Sequence, residues 1–327
     1  MAKLSVVLTS YNYARYLPAA LLAVLAQSRP PDELIVIDDG SADDSVAIIN
    51  SFLGRFAEPR LVQNPSNLGT IANLNRGLEL ARGEVVYFAA ADDVTYPALF
   101  ARGMALLAEH PVGALFSARS DVIDTEGRVE STLATAIPLS HPGYIAPDVV
   151  ARILMQDDNW LTGNTTLYRR APLIAAGGFA PELGSFCDGY VSRLLAARSG
   201  ACFSPEVLGA WRRHEGGFAW SQTADLTRAR QLATAVERRM AADAAAFPPG
   251  YSRRWAGRHL FGAHRFVLVR RRVEAGSRGI AARVWARLYE VAMTLWLFII
   301  CRPWDGVAVA RRWFTVWRHR TRDPRET

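Results

Sequence analysis

Two strand-like apolar runs in the first third of this chain each end in adjacent aspartates. The run 34–37 leads into Asp38 and Asp39, and the run 85–88 leads through three alanines into Asp92 and Asp93. In a parallel α/β sheet the carboxyl ends of neighbouring strands share one edge, and ligands bind in the crevice beyond it. The pattern therefore predicts two acidic pairs that face one polar, nucleotide-like ligand, which indicates an enzyme.

Apolar β-rich runs alternate with helical periodicity from residue 3 to residue 93, as in βαβ units on a parallel sheet. The helix between the first two strands carries apolar residues at helical spacing. A second helix is predicted to open at Ser41 with Asp44 completing a capping box, and a third to run from Thr70 and stop at Gly83. The predicted strands are 4–8, 34–37, 60–63 and 85–89.

The regular alternation is lost after Asp93, which predicts a second half of different construction. It contains a loop-rich stretch, 121–148, with several prolines and glycines. The predicted helices here are 97–109, 148–156 and 188–199, and the predicted strands are 112–116, 165–168 and 207–211. From Leu226 onward the pattern is mainly helical.

The C-terminal part of the chain is strongly basic. Residues 251–327 hold 17 arginines and five acidic residues, net +12, which leaves the first 250 residues at −5. Its apolar run, 291–301, is about half of the roughly 20 residues that a membrane-spanning helix needs. Arginines interleaved with tryptophans predict a helical segment lying on an anionic membrane surface rather than one that binds nucleic acid. A basic helical hairpin packed on the domain is the alternative.

The three cysteines are widely spaced and odd in number, which fits a reducing cytosol better than a disulfide framework. The N-terminus enters a strand without the layout of a signal peptide. We therefore expect a cytoplasmic protein, placed by its basic tail at the inner face of the membrane.

The residues at the strand ends suit recognition of a nucleotide. Thr9 and Tyr11 follow the first strand, where a hydroxyl and a ring can hold and stack on a base, although both also occur in ordinary turns. One carboxylate of the Asp38 and Asp39 pair can accept a hydrogen bond from a pyrimidine N–H or a ribose hydroxyl, and a simple N-cap is the alternative.

The second acidic pair, Asp92 and Asp93, suits a hard divalent cation such as Mn²⁺ or Mg²⁺ shared with substrate phosphates, with a solvated turn as the alternative. Amides and one guanidinium lie near the start of the third predicted helix, where anions are favoured. Two alternatives are open for the Arg76 side chain, contact with a phosphate or solvation. The other candidate positions of this stretch are Asn67, Gly69 and Asn75.

Together these motifs resemble the family 2 glycosyltransferases of GT-A fold, in order and in spacing. The resemblance covers roughly residues 3 to 220 and is specific as a set. It is carried by the runs 6–12 (VVLTSYN), 36–45 (VIDDGSADDS), 67–69 (NLG), 91–93 (ADD), 177–179 (GGF) and 211–214 (WRRH), and by Asp188.

The resemblance implies a role for each matching position. Thr9, Tyr11 and Asp39 would hold the base, usually uracil, and Asp92 with Asp93 would bind the metal that bridges the diphosphate. Asp188 corresponds to the catalytic base, and His214 to a position near the diphosphate or metal. Asn67, Gly69, Asn75 and Arg76 are the further nucleotide-sugar positions.

Two positions depart from the family pattern. Ala90 stands where an aspartate is frequent, so metal binding would rest on Asp92 and Asp93. Leu74 stands where an arginine is frequent, which makes Arg76 the nearest substitute.

The resemblance implies an α/β fold with a mostly parallel GT-A-type sheet flanked by helices. We predict a glycosyltransferase domain over 1–225, with a nucleotide-sugar half over 1–105 and an acceptor half over 106–225. A basic, arginine- and tryptophan-rich helical region, 226–327, follows.

The predicted function is inverting, metal-dependent transfer of a single sugar from a UDP- or dTDP-linked donor to a hydroxyl of a glycan or lipid-linked acceptor. Two alternatives remain open. One is a catalytically silent glycan- or membrane-binding module, favoured by Ala90 and Leu74. The other is a sugar-phosphate nucleotidyltransferase, which would need a catalytic lysine, whereas Lys3 is the only lysine of the chain.

Overall fold

The computed structural model describes residues 2–214, 216–218, 222 and 225–260. Of the predicted membrane-surface region, residues 261–327 lie outside these residues, including its apolar run and all of its tryptophans except Trp255.

A ten-stranded mixed sheet forms the centre of the fold. Its strands are β1 (Leu4–Ser10), β2 (Glu33–Asp38), β3 (Pro59–Gln63), β4 (Val85–Ala90), β5 (Val94–Thr95), β6 (Leu115–Ile123), β7 (Val129–Thr132), β8 (Gly143–Ile145), β9 (Leu167–Arg169) and β10 (Ala201–Arg212). The helices are α1 (Leu17–Leu25), α2 (Ser45–Leu53), α3 (Thr70–Leu80), α4 (Leu99–Glu109), α5 (Pro147–Gln156), α6 (Arg170–Ala175), α7 (Cys187–Ser199) and α8 (Leu226–Ala242). Two short 3₁₀ helices cover Gly163–Thr165 and Pro181–Phe186, and residues 251–260 are helical.

The main strand order is β3-β2-β1-β4-β9-β6-β10-β5, with β7 paired to β6 and β8 to β10. The first four strands of that order are parallel. Strand β9 lies antiparallel between β4 and β6, so it joins the parallel strands of the first half to the strands of the second half. This arrangement confirms the predicted α/β fold with a mostly parallel sheet in its first half.

The central strands are buried on both faces, which is why their sequences are nearly continuous apolar runs. Leu4, Val6 and Leu8 of β1 pack in one core with apolar residues of α1, α2 and α4. The opposite face of β1 carries Val7, against which α3 packs so closely that a Cβ on Gly77 would lie 2.2 Å from the Val7 Cγ1.

Two predicted helix ends are wrong. Helix α2 begins at Ser45 rather than Ser41, because Ser41 instead donates its N–H to Asp38 and accepts a hydrogen bond from the Asn12 N–H. Helix α3 ends at Leu80. Gly83 is required for packing instead of capping, since a Cβ there would lie 2.7 Å from the Ser5 nitrogen.

The second half contains more strand than its sequence indicates. Strand β6 runs nine residues and β10 runs twelve, and the predicted loop 121–148 contains β7 and β8. These strands gain order from pairing with each other, which short sequence windows do not reveal.

Contacts divide the chain into two compact units. The first comprises residues 1–153 and 158–220, and the second comprises 154–157 and the chain from 221. Helix α8 belongs to the second unit, begins where the Asp225 side chain accepts the Thr227 N–H at 2.8 Å, and buries an apolar face that includes Leu232 and Val236.

No helix in the part of the chain that the structure describes is both long enough and apolar enough to cross a membrane.

Candidate active site

Strands β1, β2 and β4 end side by side at one edge of the sheet. Ser10 is the register partner of Asp38, and Thr9 is the partner of Ala90. Both acidic pairs therefore follow strands that finish at the same level, as the sequence predicted. Thr9 is half-buried there, and Tyr11 is 43% exposed, so its ring is open to a ligand.

Asp39 is the centre of a buried polar cluster. Its Oδ1 accepts hydrogen bonds from the Asn64 side chain and the Leu68 N–H, both at 2.8 Å, and its Oδ2 accepts the Gly69 N–H at 2.9 Å. Burial raises the pKa of this carboxyl, but the amides of Asn73 and Asn64 and the two backbone N–H groups outweigh that effect, so its pKa lies below the ordinary value. Asp39 is therefore ionised in the folded protein at neutral pH.

The loop 67–69 is held by this carboxylate. Gly69 has a φ of 90°, in the left-handed region that favours glycine, and precedes the first residue of α3. Asn67 lies exposed one residue before the bonded Leu68. The loop thus presents Asn67 to solvent from a backbone that Asp39 fixes.

Arg76 and Asn75 both lie on α3, but their side chains belong to different hydrogen-bond networks. Arg76 donates from Nη1 to the Asn64 Oδ1, so the structure joins it to the Asp39 cluster. Asn75 donates to the Phe179 carbonyl at 2.8 Å and accepts the Phe179 N–H at 2.9 Å. The Asn75 amide therefore holds the glycine-containing turn at 177–179. The predicted contact of Asn75 with a nucleotide sugar stays a prediction.

The second acidic pair is tied to the end of β10. His214 Nε2 lies 2.8 Å from Asp92 Oδ2, and Asp93 Oδ1 accepts the Arg212 N–H at 2.9 Å. Burial, and then the neighbouring charge of Asp92, raise the pKa of the Asp93 carboxyl well above its ordinary value. The structure thus brings Asp92 and Asp93 together with Arg212 and His214, which lie about 120 positions later in the sequence.

Aromatic rings and one arginine surround this pair. Tyr13 and Tyr16 lie with their ring centroids 5.7 and 5.4 Å from that of His214. The Arg212 guanidinium lies 4.8 Å from the Tyr16 ring centroid and donates to the carbonyls of Asp92 and Asp124, each at 2.7 Å. Burial, and then the Asp92 charge, raise the pKa of the Tyr13 phenol, so Tyr13 stays protonated.

Asp92 and Asp93 fit a hard divalent cation only as part of a shell shared with a substrate. Asp92 Oδ2 lies 2.8 Å from His214 Nε2, and Asp93 Oδ1 accepts the Arg212 N–H, so the two carboxylates have few oxygens left for a cation. Among the described residues, no group of three or more histidine, cysteine, aspartate or glutamate side chains is arranged to hold a metal ion. The phosphates of a donor would have to supply the remaining ligands.

Asp188 lies in the first turn of α7, away from both pairs in sequence. Its Oδ1 accepts the Gly189 N–H at 2.7 Å, and its Oδ2 faces Gly163 so closely that a Cβ there would lie 2.5 Å away. Burial raises the pKa of this carboxyl above the ordinary value, while the Gly189 N–H and the charge of Arg193 act in the opposite direction. A half-buried carboxylate with an elevated pKa is suited to accept a proton.

A buried ion pair holds the segment beside Asp188. Arg193 is 5% exposed and Asp158 is 2% exposed. Arg193 Nε lies 3.3 Å from Asp158 Oδ2, Nη2 donates to the Asp158 carbonyl at 2.8 Å, and Nη1 donates to the Gly189 carbonyl at 2.9 Å. Trp160, in the same segment, is fully buried against Phe203 and so belongs to the core.

The first 173 residues carry the decisive similarity. The family model for glycosyl transferase family 2 matches residues 5–173, just over half of the chain. The chain belongs to glycosyl transferase family 2. This confirms the family expected from the sequence and, with it, the enzyme class, a glycosyltransferase.

Curated relatives agree with this membership. The chain is 31% identical over 173 residues to an uncharacterised glycosyltransferase from Nostoc sp., which covers 52% of each chain. It is 34% identical over 107 residues to a PGL/p-HBAD biosynthesis glycosyltransferase from Mycobacterium bovis, covering 32% of this chain and 42% of that one. An uncharacterised Mycobacterium tuberculosis protein is 30% identical over 220 residues, 64% of this chain and 67% of its own length. The matched region thus spans from under half to about two thirds of these relatives.

Solved glycosyltransferases share the fold. S. aureus TarS residues 1–349, in complex with UDP-GlcNAc, align with a TM-score of 0.56 and 21% identity over 79% of this chain and 71% of that one. The mannosyltransferase PcManGT from Pyrobaculum calidifontis, in complex with GDP-Man and Mn²⁺, aligns with a TM-score of 0.57 and 18% identity over 95% of this chain and 86% of that one. At these identities the likeness establishes the GT-A-type fold alone.

Sequence reasoning assigned no supporting role to several residues that shape the site. Asn64, Asn73, Arg212 and Arg193 are buried polar residues whose partners lie on other elements. Tyr13 and Tyr16 gave a weak signal, because they continue the aromatic run that starts at Tyr11 immediately after a strand end.

Proposed function

We propose that this protein is an inverting, metal-dependent glycosyltransferase that moves a single sugar from a UDP- or dTDP-linked donor to a hydroxyl of a glycan or lipid-linked acceptor. The observation that carries the proposal is the register of β1 with β2 and β4, which sets Asp39 and Asp92 beyond one sheet edge. Family membership supports the same reaction class.

The donor would bind along this edge. Tyr11 would stack on the base, Thr9 and Asp39 would hold the nucleoside, and Asn67 and Gly69 would line the same end. The diphosphate would extend toward Asp92 and Asp93, with His214 beside them. A bound Mn²⁺ or Mg²⁺ would neutralise charge on the diphosphate leaving group.

Asp188 would act as the general base. Its Oδ2 would take the proton of the acceptor hydroxyl as that oxygen bonds to the anomeric carbon. The bond from the anomeric carbon to the nucleoside diphosphate breaks in the same displacement, so the anomeric configuration inverts. Arg193 would position Asp188 through the Gly189 carbonyl and act on the charge of its carboxylate.

A donor panel tests this proposal. Purified full-length protein is incubated with UDP-, dTDP- and GDP-linked sugars, with and without Mn²⁺, and release of nucleoside diphosphate is measured. We expect release from a UDP- or dTDP-linked sugar that depends on the cation. If no donor is bound or turned over, the catalytically silent module is the correct interpretation.

We also propose that the enzyme works in the cytoplasm at the inner face of a membrane, where a lipid-linked acceptor would be presented. The support is the net charge of +12 over residues 251–327 and their interleaved tryptophans. Co-sedimentation of the full chain with anionic and with neutral vesicles tests this. Pelleting with anionic vesicles alone is expected, and equal recovery in the supernatant with both would contradict it.

A further inference from the structure

The side chain of Asn75 pairs with the backbone of a residue far along the chain. Its Nδ2 donates to the Phe179 carbonyl at 2.8 Å, and its Oδ1 accepts the Phe179 N–H at 2.9 Å. A backbone N–H only donates and a carbonyl only accepts, so the orientation of the Asn75 amide is fixed. These two hydrogen bonds, here called the Asn75 clamp, join α3 to the turn at 177–179.

The glycines of this turn allow the close approach to Asn75. Gly177 and Gly178 have φ values of 87° and 68°, in the left-handed region that favours glycine. A Cβ on Gly178 would lie 2.6 Å from the Asn75 Oδ1, whereas a Cβ on Gly177 would meet nothing within 4 Å. Residue 178 must therefore be glycine for its contact with Asn75 as well as for its backbone conformation.

The Phe179 ring packs against two aromatic rings of the central sheet. Phe179 is 2% exposed. Its ring centroid lies 4.9 Å from that of Phe88 on β4 and 6.1 Å from that of Tyr168 on β9, and both pairs are edge to face. Because close-packed cores transmit displacements, a shift of Phe179 would also move the Tyr168 ring.

Tyr168 extends this connection to Asp188. Its hydroxyl lies 2.9 Å from the Ser192 Oγ, and the Ser192 hydroxyl donates to the Asp188 carbonyl at 2.6 Å. Because a serine hydroxyl has a single hydrogen, Tyr168 is the donor to Ser192. Burial, and then the Asp188 charge, raise the pKa of the Tyr168 phenol, so it keeps the proton that it donates. The first turn of α7 is thus tied to the ring that contacts Phe179.

We infer that Asn75 is a positioning residue for the proposed base: its clamp fixes Asp188 on α7 relative to α3, which follows the loop 67–69 at the donor end of the site. Transfer requires the acceptor hydroxyl at the base and the anomeric carbon of the donor to meet at bonding distance. These two ends of the reaction lie on different elements, and the clamp connects those elements directly. The inference deepens the proposed function and rests on it, and it gives Asn75 a role other than the predicted contact with a nucleotide sugar.

Separate measurements of turnover and affinity test the inference. Asn75→Leu keeps the side-chain size and removes both hydrogen bonds. We expect kcat for release of nucleoside diphosphate from the preferred donor to fall about 10- to 100-fold, because misplacement of a base is costly. The KM for that donor and the calorimetric Kd for UDP with Mn²⁺ should keep their wild-type values, whereas loss of a direct donor contact would raise the KM. Expressing kcat per calorimetric UDP site removes any contribution from unfolded protein.

The turn offers a second way to break the clamp. Gly178→Ala sets a Cβ against Asn75, and Gly177→Ala places an alanine at a similar left-handed φ without that contact. We expect a larger loss of kcat in Gly178→Ala than in Gly177→Ala. Combining Gly178→Ala with Asn75→Leu should cause no further loss, because both changes remove the same contact. The exposed Asn50→Leu on α2 is the matched control for the asparagine and should keep wild-type turnover.

The outcomes separate the inference from the proposed function. Wild-type kcat per UDP site in Asn75→Leu overturns the inference and leaves the proposed function standing, and so does a raised KM with unchanged kcat. If circular dichroism shows that Asn75→Leu does not fold, the glycine variants decide, and a kcat in Gly178→Ala no lower than in Gly177→Ala overturns the inference. Failure of the wild type to release nucleoside diphosphate from any donor overturns both.

Discussion

At the scale of single residues, Asp188 carries the acid–base chemistry of the proposed reaction. Burial raises the pKa of its carboxyl, and the base must be ionised to accept a proton. Activity should therefore fall as the pH is lowered through that raised pKa, so the acid limb of the kcat/KM profile should lie above the ordinary aspartate value of about 4. A pH–rate profile measures this, and a limb at or below pH 4 would contradict the assignment.

The close approach of Gly163 to Asp188 gives a second test at this scale. A Cβ at residue 163 would lie 2.5 Å from Asp188 Oδ2, so Gly163→Ala must displace the carboxylate. We expect turnover to drop at least about tenfold, because small misplacement of a base is costly, with donor affinity unchanged. Gly54→Ala, where a Cβ meets nothing within 4 Å, is the control, and wild-type turnover in Gly163→Ala would contradict the geometry.

The sequence predicted the residues at strand ends better than the residues that support them. Asp39 and Asp92 were recognisable because an apolar strand precedes each one. Asn64 and Arg193 were not, because a buried polar residue is identified by partners from distant elements, and its local sequence resembles that of a surface residue.

At the scale of elements, the packing of α3 on β1 depends on Gly77. Its Cβ would overlap the Val7 side chain at 2.2 Å, and Val7 is fully buried. Gly77→Ala should therefore lower the free energy of unfolding by about 1–3 kcal/mol through overpacking, although alanine favours helices. Urea denaturation measures this. Gly54→Ala should be neutral or slightly stabilising, and a stabilised Gly77→Ala would show that the two elements do not pack as described.

The Arg193–Asp158 pair joins α7 to the segment beside it. Arg193→Met would remove the guanidinium that pairs with the buried Asp158 carboxylate, and loss of one member of a buried ion pair typically costs about 3–5 kcal/mol. We expect this loss in chemical denaturation, and a smaller loss in the double variant Arg193→Met with Asp158→Leu. Additive losses would contradict direct coupling of the two residues.

The first-half elements were predictable because βαβ units have a local signature in which apolar strands alternate with helices of 3.6-residue periodicity. The predicted helix ends were wrong where tertiary contacts decide them, as at Ser41 and Gly83. In the second half the predicted strands differ more widely from the observed ones, because β6, β7, β8 and β10 pair over long sequence distances.

At the scale of the whole molecule, the charge is divided as the sequence shows, with an acidic first 250 residues and a basic remainder. The first compact unit contains every predicted site residue from Thr9 to His214. Every residue to which the proposal gives a role therefore lies in that unit, and the predicted domain boundary near residue 225 stays a prediction.

The measurement that tests the central claim most directly compares the wild type with Asp188→Asn and Asp92→Asn for release of nucleoside diphosphate from the preferred donor. Asp188→Asn should lower kcat about 10²- to 10⁴-fold and keep the diphosphate affinity of the wild type. Its thermal stability should not fall, because the raised pKa means that the ionised carboxylate destabilises the fold above that pKa. Asp92→Asn should weaken cation-dependent donor binding. Turnover by Asp188→Asn at the wild-type rate would contradict the account.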